Sequence, residues 1–134
     1  MTTKIIIDAA EGALGRIAGF AAKQSLLGKE VVIVNCNDAM ITGSPRTTIA
    51  KYAQKRARGG SAQKGPYFPK SPERIMKRTV RGMLSYKQTR GRQALKRIIC
   101  YNQTPSEFED AEKISMKREI KVKAIKLKKL SEEL

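Results

Sequence analysis

The chain contains no histidine. It therefore lacks the side chain that most often transfers protons near neutral pH. Its two cysteines, Cys36 and Cys100, have no imidazole to activate a thiolate and no nitrogen ligands to complete a zinc site. Both lie inside apolar runs and are read as buried, reduced thiols of an intracellular protein. Long apolar runs are absent too. None approaches the roughly 20 residues of a membrane helix, and no charged region followed by an apolar core opens the chain, so neither a span nor a signal peptide is expected. The stretch Gly12-Ala13-Leu14-Gly15-Arg16 is neither a dinucleotide fingerprint nor a P-loop, which needs Gly-Lys followed by Ser or Thr.

The most informative scarcity is of acids in the middle of the chain. Arg46 to Arg97 holds sixteen Lys or Arg residues and one acid, Glu73, a net +15 of the total +16. Met1 to Pro45 has four bases and four acids, and Ile98 to Leu134 has eight bases and seven acids. The pattern is a near-neutral scaffold with one concentrated electropositive region, the signature of a polyanion binder. At 134 residues the chain is read as a single domain, 1–134, with a real core.

Lys4–Asp8 reads as a buried strand, Leu14–Leu27 as a helix closed by Gly28, and Val31–Cys36 as a second buried strand. Together they make a βαβ unit, and Met40–Thr42 is a short third strand. Ser44-Pro45 and Ser71-Pro72 each place Ser at an N-cap and Pro at the first helical position. The first helix runs to about Arg58, with Ile49, Ala53 and Ala57 on its apolar face. The second runs from Pro72 to about Leu84. At about 100° per residue, Arg74, Lys77, Arg78 and Arg81 share one stripe, and Ile75, Met76, Thr79, Val80, Met83 and Leu84 occupy the complementary arc. Such like charges repel by a few tenths of a kcal/mol per neighbouring pair, so a stripe without acids calls for an external anion.

Between these helices, Gly59–Lys70 is a long Gly/Pro-rich connection, a length that usually marks function or disorder. Its Tyr67 and Phe68 suit stacking on bases and suit equally a contact that pins the loop to the core. Ser85–Arg92 reads as a second basic loop. Leu95–Tyr101 reads as a strand with Ile98 and Cys100 opposite Ile99. Thr104–Glu112 is an acidic loop, a strand is expected near Lys121–Leu127, and Ser131 is placed as the cap of a terminal helix. Alternating strands and helices imply an α/β sandwich.

The candidate RNA-binding residues are Lys51, Lys55, Arg56, Arg58, Lys64, Lys70, Arg74, Lys77, Arg78, Arg81, Lys87, Arg90 and Arg92 as cations, with Tyr67 as a stacking residue. Arginine would act as a forked donor and lysine as a point charge. No zinc-finger spacing, basic zipper or RNP-type aromatic strand is present, and long Gly/Arg/Lys loops suit folded RNA better than regular duplex. Two other readings share some of these features: a DNA-binding protein, and an RNA-modifying or Mg²⁺-dependent enzyme built on Asp8, Glu11 and Asp38. Arg16 stands in the first turn of a helix, where the dipole disfavours a cation. Asp8, Glu11, a phosphate and bulk water are all open to it.

At Arg78-Thr79-Val80-Arg81-Gly82-Met83-Leu84 the chain resembles the ribosomal protein L-thirteen family of the large subunit. The likeness continues through Asp8-Ala9, Leu14-Gly15-Arg16, Val31–Asn35, Ile41-Thr42-Gly43, Lys51-Tyr52, Gly65–Lys70 and Arg90-Gly91-Arg92, and its Tyr-Phe-Pro loop is similar to the archaeal/eukaryotic branch. The sequence departs from the family pattern within the second basic loop, at Ser85, usually Pro, and at Gln88-Thr89, which replaces a more basic, Pro-containing turn. After Tyr101 the likeness is thin apart from Leu130–Leu134. The resemblance implies a three-layer α/β/α domain with a small, largely parallel sheet and basic helical and loop extensions. It implies a non-catalytic, cytoplasmic ribosomal constituent that joins the large subunit early in assembly. Its partners would be 23S-type rRNA and neighbouring large-subunit proteins, with no cofactor, metal, membrane or small-molecule substrate.

Overall fold

The computed structural model describes residues 3–57 and 69–134. Arg58, Lys64, Tyr67 and Phe68 lie outside the described residues.

Four parallel strands form the sheet, in the order β4 (Ile98–Cys100), β2 (Glu30–Val34), β1 (Lys4–Asp8), β5 (Ile114–Ser115). The β-branched runs explain the two central strands. Ile5, Ile6 and Ile7 pair in register with Val31, Val32 and Ile33, and a strand buried on both faces needs apolar residues at odd and even positions alike. Ile7, Val31, Ile33 and Ile98 face one core. Ile6, Val32 and Val34 face a second, smaller one.

Helices cover the first face. α1 (Leu14–Leu26) buries Leu14, Ile17, Ala18, Ala21, Ala22 and Ser25. It ends where expected: Gly28 has φ +95°, the Gly28 amide donates to Ser25 O at 3.0 Å and the Lys29 amide to Gln24 O at 3.2 Å. That pair of bonds is a Schellman closure, and the left-handed residue at its centre favours glycine. α3 (Pro72–Gly82), α4 (Thr89–Lys96) and α5 (Leu127–Glu133) join α1 on this side, contributing Ile75, Met76, Val80, Ala94, Leu127 and Leu130 to the core. The layer on the other face is thin. The acidic segment Thr104–Glu112 carries a 3-10 turn, Ser106–Phe108, which presses Phe108 beneath Ile6, Val32 and Val34. The result is a small α/β fold with a mostly parallel sheet, as expected.

A two-stranded antiparallel ladder, β3 (Met40–Thr42) with β6 (Ala124–Lys126), lies beside the main sheet and brings the C-terminal segment next to α2 (Pro45–Ala57).

Several expectations need correction. β2 stops at Val34 rather than Cys36, because Asn35 turns left-handed (φ +60°) and donates from its side-chain amide to Asp8 Oδ1 at 3.0 Å. α2 turns Thr48, Ile49 and Tyr52 inward and leaves Ala53 and Ala57 exposed, because the larger side chains fill the space over α5 and β6. α3 ends at Gly82, not Leu84, and Met83 is 47% exposed, outside the apolar arc. Ser71 occupies the N-cap of α3, but its hydroxyl makes no cap bond. The predicted basic loop Ser85–Arg92 is a turn followed by the start of α4, which shortens the expected strand to Ile98–Cys100. Within that strand the faces fall as expected, with Ile98 buried and Ile99 50% exposed. The strand expected near Lys121–Leu127 is Ala124–Lys126, and Ser131 lies inside α5 rather than at its start.

Candidate nucleic-acid interface

α3 is strongly two-faced. Ile75, Met76 and Val80 anchor it to the core, which leaves Arg74, Arg78 and Arg81 off the apolar face at i, i+4 and i+7, Arg74 exposed and Arg78 and Arg81 half-buried. Glu73, in the first turn, is the one acid of the helix and favours its positive N-terminus. The turn after α3 folds Tyr86 back so that the Arg81 guanidinium lies 4.2 Å from the centre of its ring. A guanidinium stacked on an aromatic face is held flat with its N–H edge still open to a forked acceptor. Arg78, Arg81, Gly82 and Tyr86 line one small depression.

A cleft of about 190 Å³ separates α2 from α3, lined by Tyr52, Lys55, Pro69, Ile75, Arg78, Thr79 and Gly82. Lys55 stands with its ammonium 5.1 Å from the centre of the Tyr52 ring. Desolvation lowers the Lys55 pKa first, and the charges of Lys51 and Arg78 lower it further. Burial pushes the Tyr52 phenol up. An anion bound beside Lys55 would offset this crowding of like charge. Lys51, Lys70, Lys87, Arg90 and Arg92 are exposed, and Arg56 is half-buried.

One predicted cation belongs elsewhere. Lys77 turns inward, and its ammonium donates to Leu95 O at 2.6 Å and to Ile98 O. Leu95 lies in the last turn of α4, where carbonyls lack the usual i+4 partner, and its oxygen is met by the Arg97 amide of the C-cap and by Lys77. On edge strand β4, Arg97 O and the Tyr101 amide are bonded to β2, so the Ile98 carbonyl between them points away from the sheet. Burial lowers the Lys77 pKa. The lysine is a clamp between helix and sheet edge, and its stripe neighbours form the outward surface without it. Replacing Lys77 by Met should cost about 1–2 kcal/mol by removing the donor shared by the Leu95 and Ile98 carbonyls. Denaturant titration checks this, and an unchanged midpoint would show the clamp to be idle.

Among the described residues, the acids on which the rival chemistry would rest are each engaged by other partners. Asp8 Oδ1 accepts from the Ala10 amide and from Asn35, both at 3.0 Å. Glu11 pairs with Lys117 at 3.1 Å and Asp38 with Lys126 at 3.9 Å. Among the described residues no three acids or thiols cluster closely enough to hold a metal ion. Both cysteines are free thiols, Cys36 buried and Cys100 half-buried. The Cys100 side chain and burial together hold Cys36 strongly protonated, the opposite of an activated nucleophile.

Sequence reading missed Tyr52 and Tyr86. Both are aromatics spaced within basic runs, and that spacing is the signal that could have found them. It also missed the charge split of the C-terminal third. There, 107–112 has four acids and no base, while 113–129 has eight bases and one acid.

Comparison with known proteins returns one consistent likeness. Residues 2–107 match the family model described as ribosomal protein L13. The "Large ribosomal subunit protein uL13" of Methanosarcina barkeri is 50% identical over 112 residues, 83% of this chain and 79% of that protein. The protein of the same name from Thermoplasma volcanium is 45% identical over 133 residues, 96% of each chain. That of Methanocaldococcus jannaschii is 41% identical over 132 residues, again 96% of each. The two longer alignments carry the likeness through the C-terminal third, beyond the Tyr101 limit expected from motifs alone.

Proposed function

Because the chain belongs to the ribosomal protein L13 family, we propose that it is a non-catalytic, structural constituent of the large ribosomal subunit that binds large-subunit rRNA and joins it early in assembly. The observation that carries this reading is the stripe Arg74–Arg78–Arg81, off the apolar face of α3. It is anchored by an apolar face and set beside Lys55 across the α2–α3 cleft, inside a segment of net +15. The mechanism is electrostatic. Cations neutralise phosphates where RNA helices approach closely, so that RNA which would repel itself can pack. Arg81, set over the Tyr86 ring, is a forked donor to phosphate, while Lys51, Lys70 and Lys87 act as point charges. Neighbouring large-subunit proteins are the other partners, and the ribosome of the cytoplasm is its place. No helix among the described residues is long and apolar enough to cross a membrane.

Sedimentation of a lysate tests this first. The chain should travel with the large subunit and stay through a moderate salt wash; recovery at the top of the gradient overturns the reading. With about eight phosphates neutralised, log K for rRNA should fall with log salt at a slope of roughly −6 to −7. A slope near −2, or equal affinity for duplex DNA in competition, would remove the extended rRNA surface.

A further inference from the structure

The net charge of +1 over Ile98–Leu134 conceals a second basic surface. All eight of its cations fall between residues 113 and 129. The connection from β5 to β6 lies as a fixed strap along the loops that follow β1 and β3. The Met116 amide donates to Asp8 O at 3.2 Å, the Arg118 amide to Glu11 O at 3.2 Å, and the Gly43 amide to Lys123 O at 2.7 Å. Gly12 meets the strap so closely that a Cβ there would lie 2.7 Å from Met116 O. The strap is therefore held by backbone at both ends.

Side-chain pairing then sorts its charges. Lys117 and Lys126 are matched by Glu11 and Asp38. Arg16, Arg118 and Lys121 are exposed, and among the described residues none of them pairs with an acid. These three line one groove of about 450 Å³, together with Ile120, Val122 and a single acid, Glu119. A cavity of this size lies within the usual range for small-ligand sites. Val122 is 64% exposed and gives the groove an apolar wall. Cations beside an exposed aliphatic wall suit a nucleotide strand, with phosphate on the charges and sugar or base against the wall. No lining residue is shared with the α2–α3 cleft, and none lies in the 46–97 segment.

We propose that the Arg16–Arg118–Lys121 groove is a second RNA-binding site, which holds a strand distinct from the one on the α3 stripe, so that the protein clamps two RNA segments together. The proposal rests on the rRNA-binding reading, and its test separates the two. Hydroxyl-radical footprints of the full chain on large-subunit rRNA are compared with those of an R16Q/R118Q/K121Q variant, an R74Q/R78Q/R81Q variant, and a K128Q/K129Q control that lowers charge elsewhere. Circular dichroism melts confirm that each variant is folded. The groove variant should lose one protected segment while keeping the other, weaken binding by about two to three orders of magnitude and flatten the salt slope by about 2–3. The α3 variant should lose the other segment, and the control should keep both. A groove variant with the full footprint overturns the second site and leaves the α3 reading intact. The same footprint with loss of a bound subunit protein overturns it in favour of an acidic protein partner. No footprint from the unaltered chain overturns both readings.

Discussion

Replacing Arg74, Arg78 and Arg81 together by Gln is expected to weaken binding to large-subunit rRNA by about two to three orders of magnitude at roughly 0.1 M salt. Each neutralised phosphate contributes about 0.7–0.9 to the salt slope and, near 0.1 M, close to that many powers of ten in affinity. Removing three such cations at once therefore flattens the slope by about 2–3. Stability should barely change. All three side chains lie off the apolar face that Ile75, Met76 and Val80 present to the core. Removing like charges at i, i+4 relieves a few tenths of a kcal/mol, and the stacking of Arg81 on Tyr86, which disappears, contributes about 0.5–1 kcal/mol. Titration at several salt concentrations, with a thermal melt of the same variant, measures both quantities. Unaltered affinity would remove the stripe from the interface, and a collapsed melt would show that it supports the fold instead.

Gly91→Ala is expected to destabilise the protein by about 2–3 kcal/mol, against the usual direction for such a change. Within a helix, Ala is normally better than Gly by about 0.8–1 kcal/mol. Here α4 lies on the backbone of the turn after α3, and a Cβ at Gly91 would sit 2.0 Å from the Ser85 carbonyl oxygen. A backbone atom cannot rotate aside as a side chain can, so the helix or the turn must move. Moving the turn also disturbs Tyr86, on which Arg81 stacks, so the variant should bind RNA less well even where it remains folded. Gly82→Ala is the control. Nothing lies within 4 Å of its Cβ position, and it should be neutral or stabilising by up to about 1 kcal/mol. Denaturant midpoints decide the matter. Equal effects of the two substitutions would refute the close approach.

The same close approach explains why this part of the chain reads as a loop in sequence and folds as a helix. Ser85–Arg92 has the composition of a basic loop, and it contains Gly91. Glycine within a short segment argues against a helix on propensity alone. α4 forms because packing outweighs propensity. Gly91 is the residue that lets it approach the turn, Ala94 is fully buried, and Ser25 of α1 donates to Ala94 O. Lys77 leaves its expected stripe for a related reason. Helical angle puts it beside Arg74 and Arg78, but the carbonyls of Leu95 and Ile98 that draw it inward belong to elements 18 and 21 residues away.

The sequence by itself determined the βαβ start, because continuous β-branched runs and a helix closed by Gly28 leave little local choice. It determined the charge segregation to 46–97 and the apolar anchor of α3, since both are sums or periods over neighbouring residues. Family membership was legible in the motifs around Arg78–Leu84, and the match over 2–107 shows it. Only the tertiary structure decided which cations remain outward. That depends on which carbonyls and carboxylates lie within reach after folding: Lys77 finds two carbonyls, Lys117 and Lys126 find Glu11 and Asp38, and Arg16 finds none of the acids near it in sequence. Likewise Phe108, in a segment that reads as an acidic loop, is drawn under Ile6, Val32 and Val34, because a sheet face left uncovered must bury its apolar side chains against something.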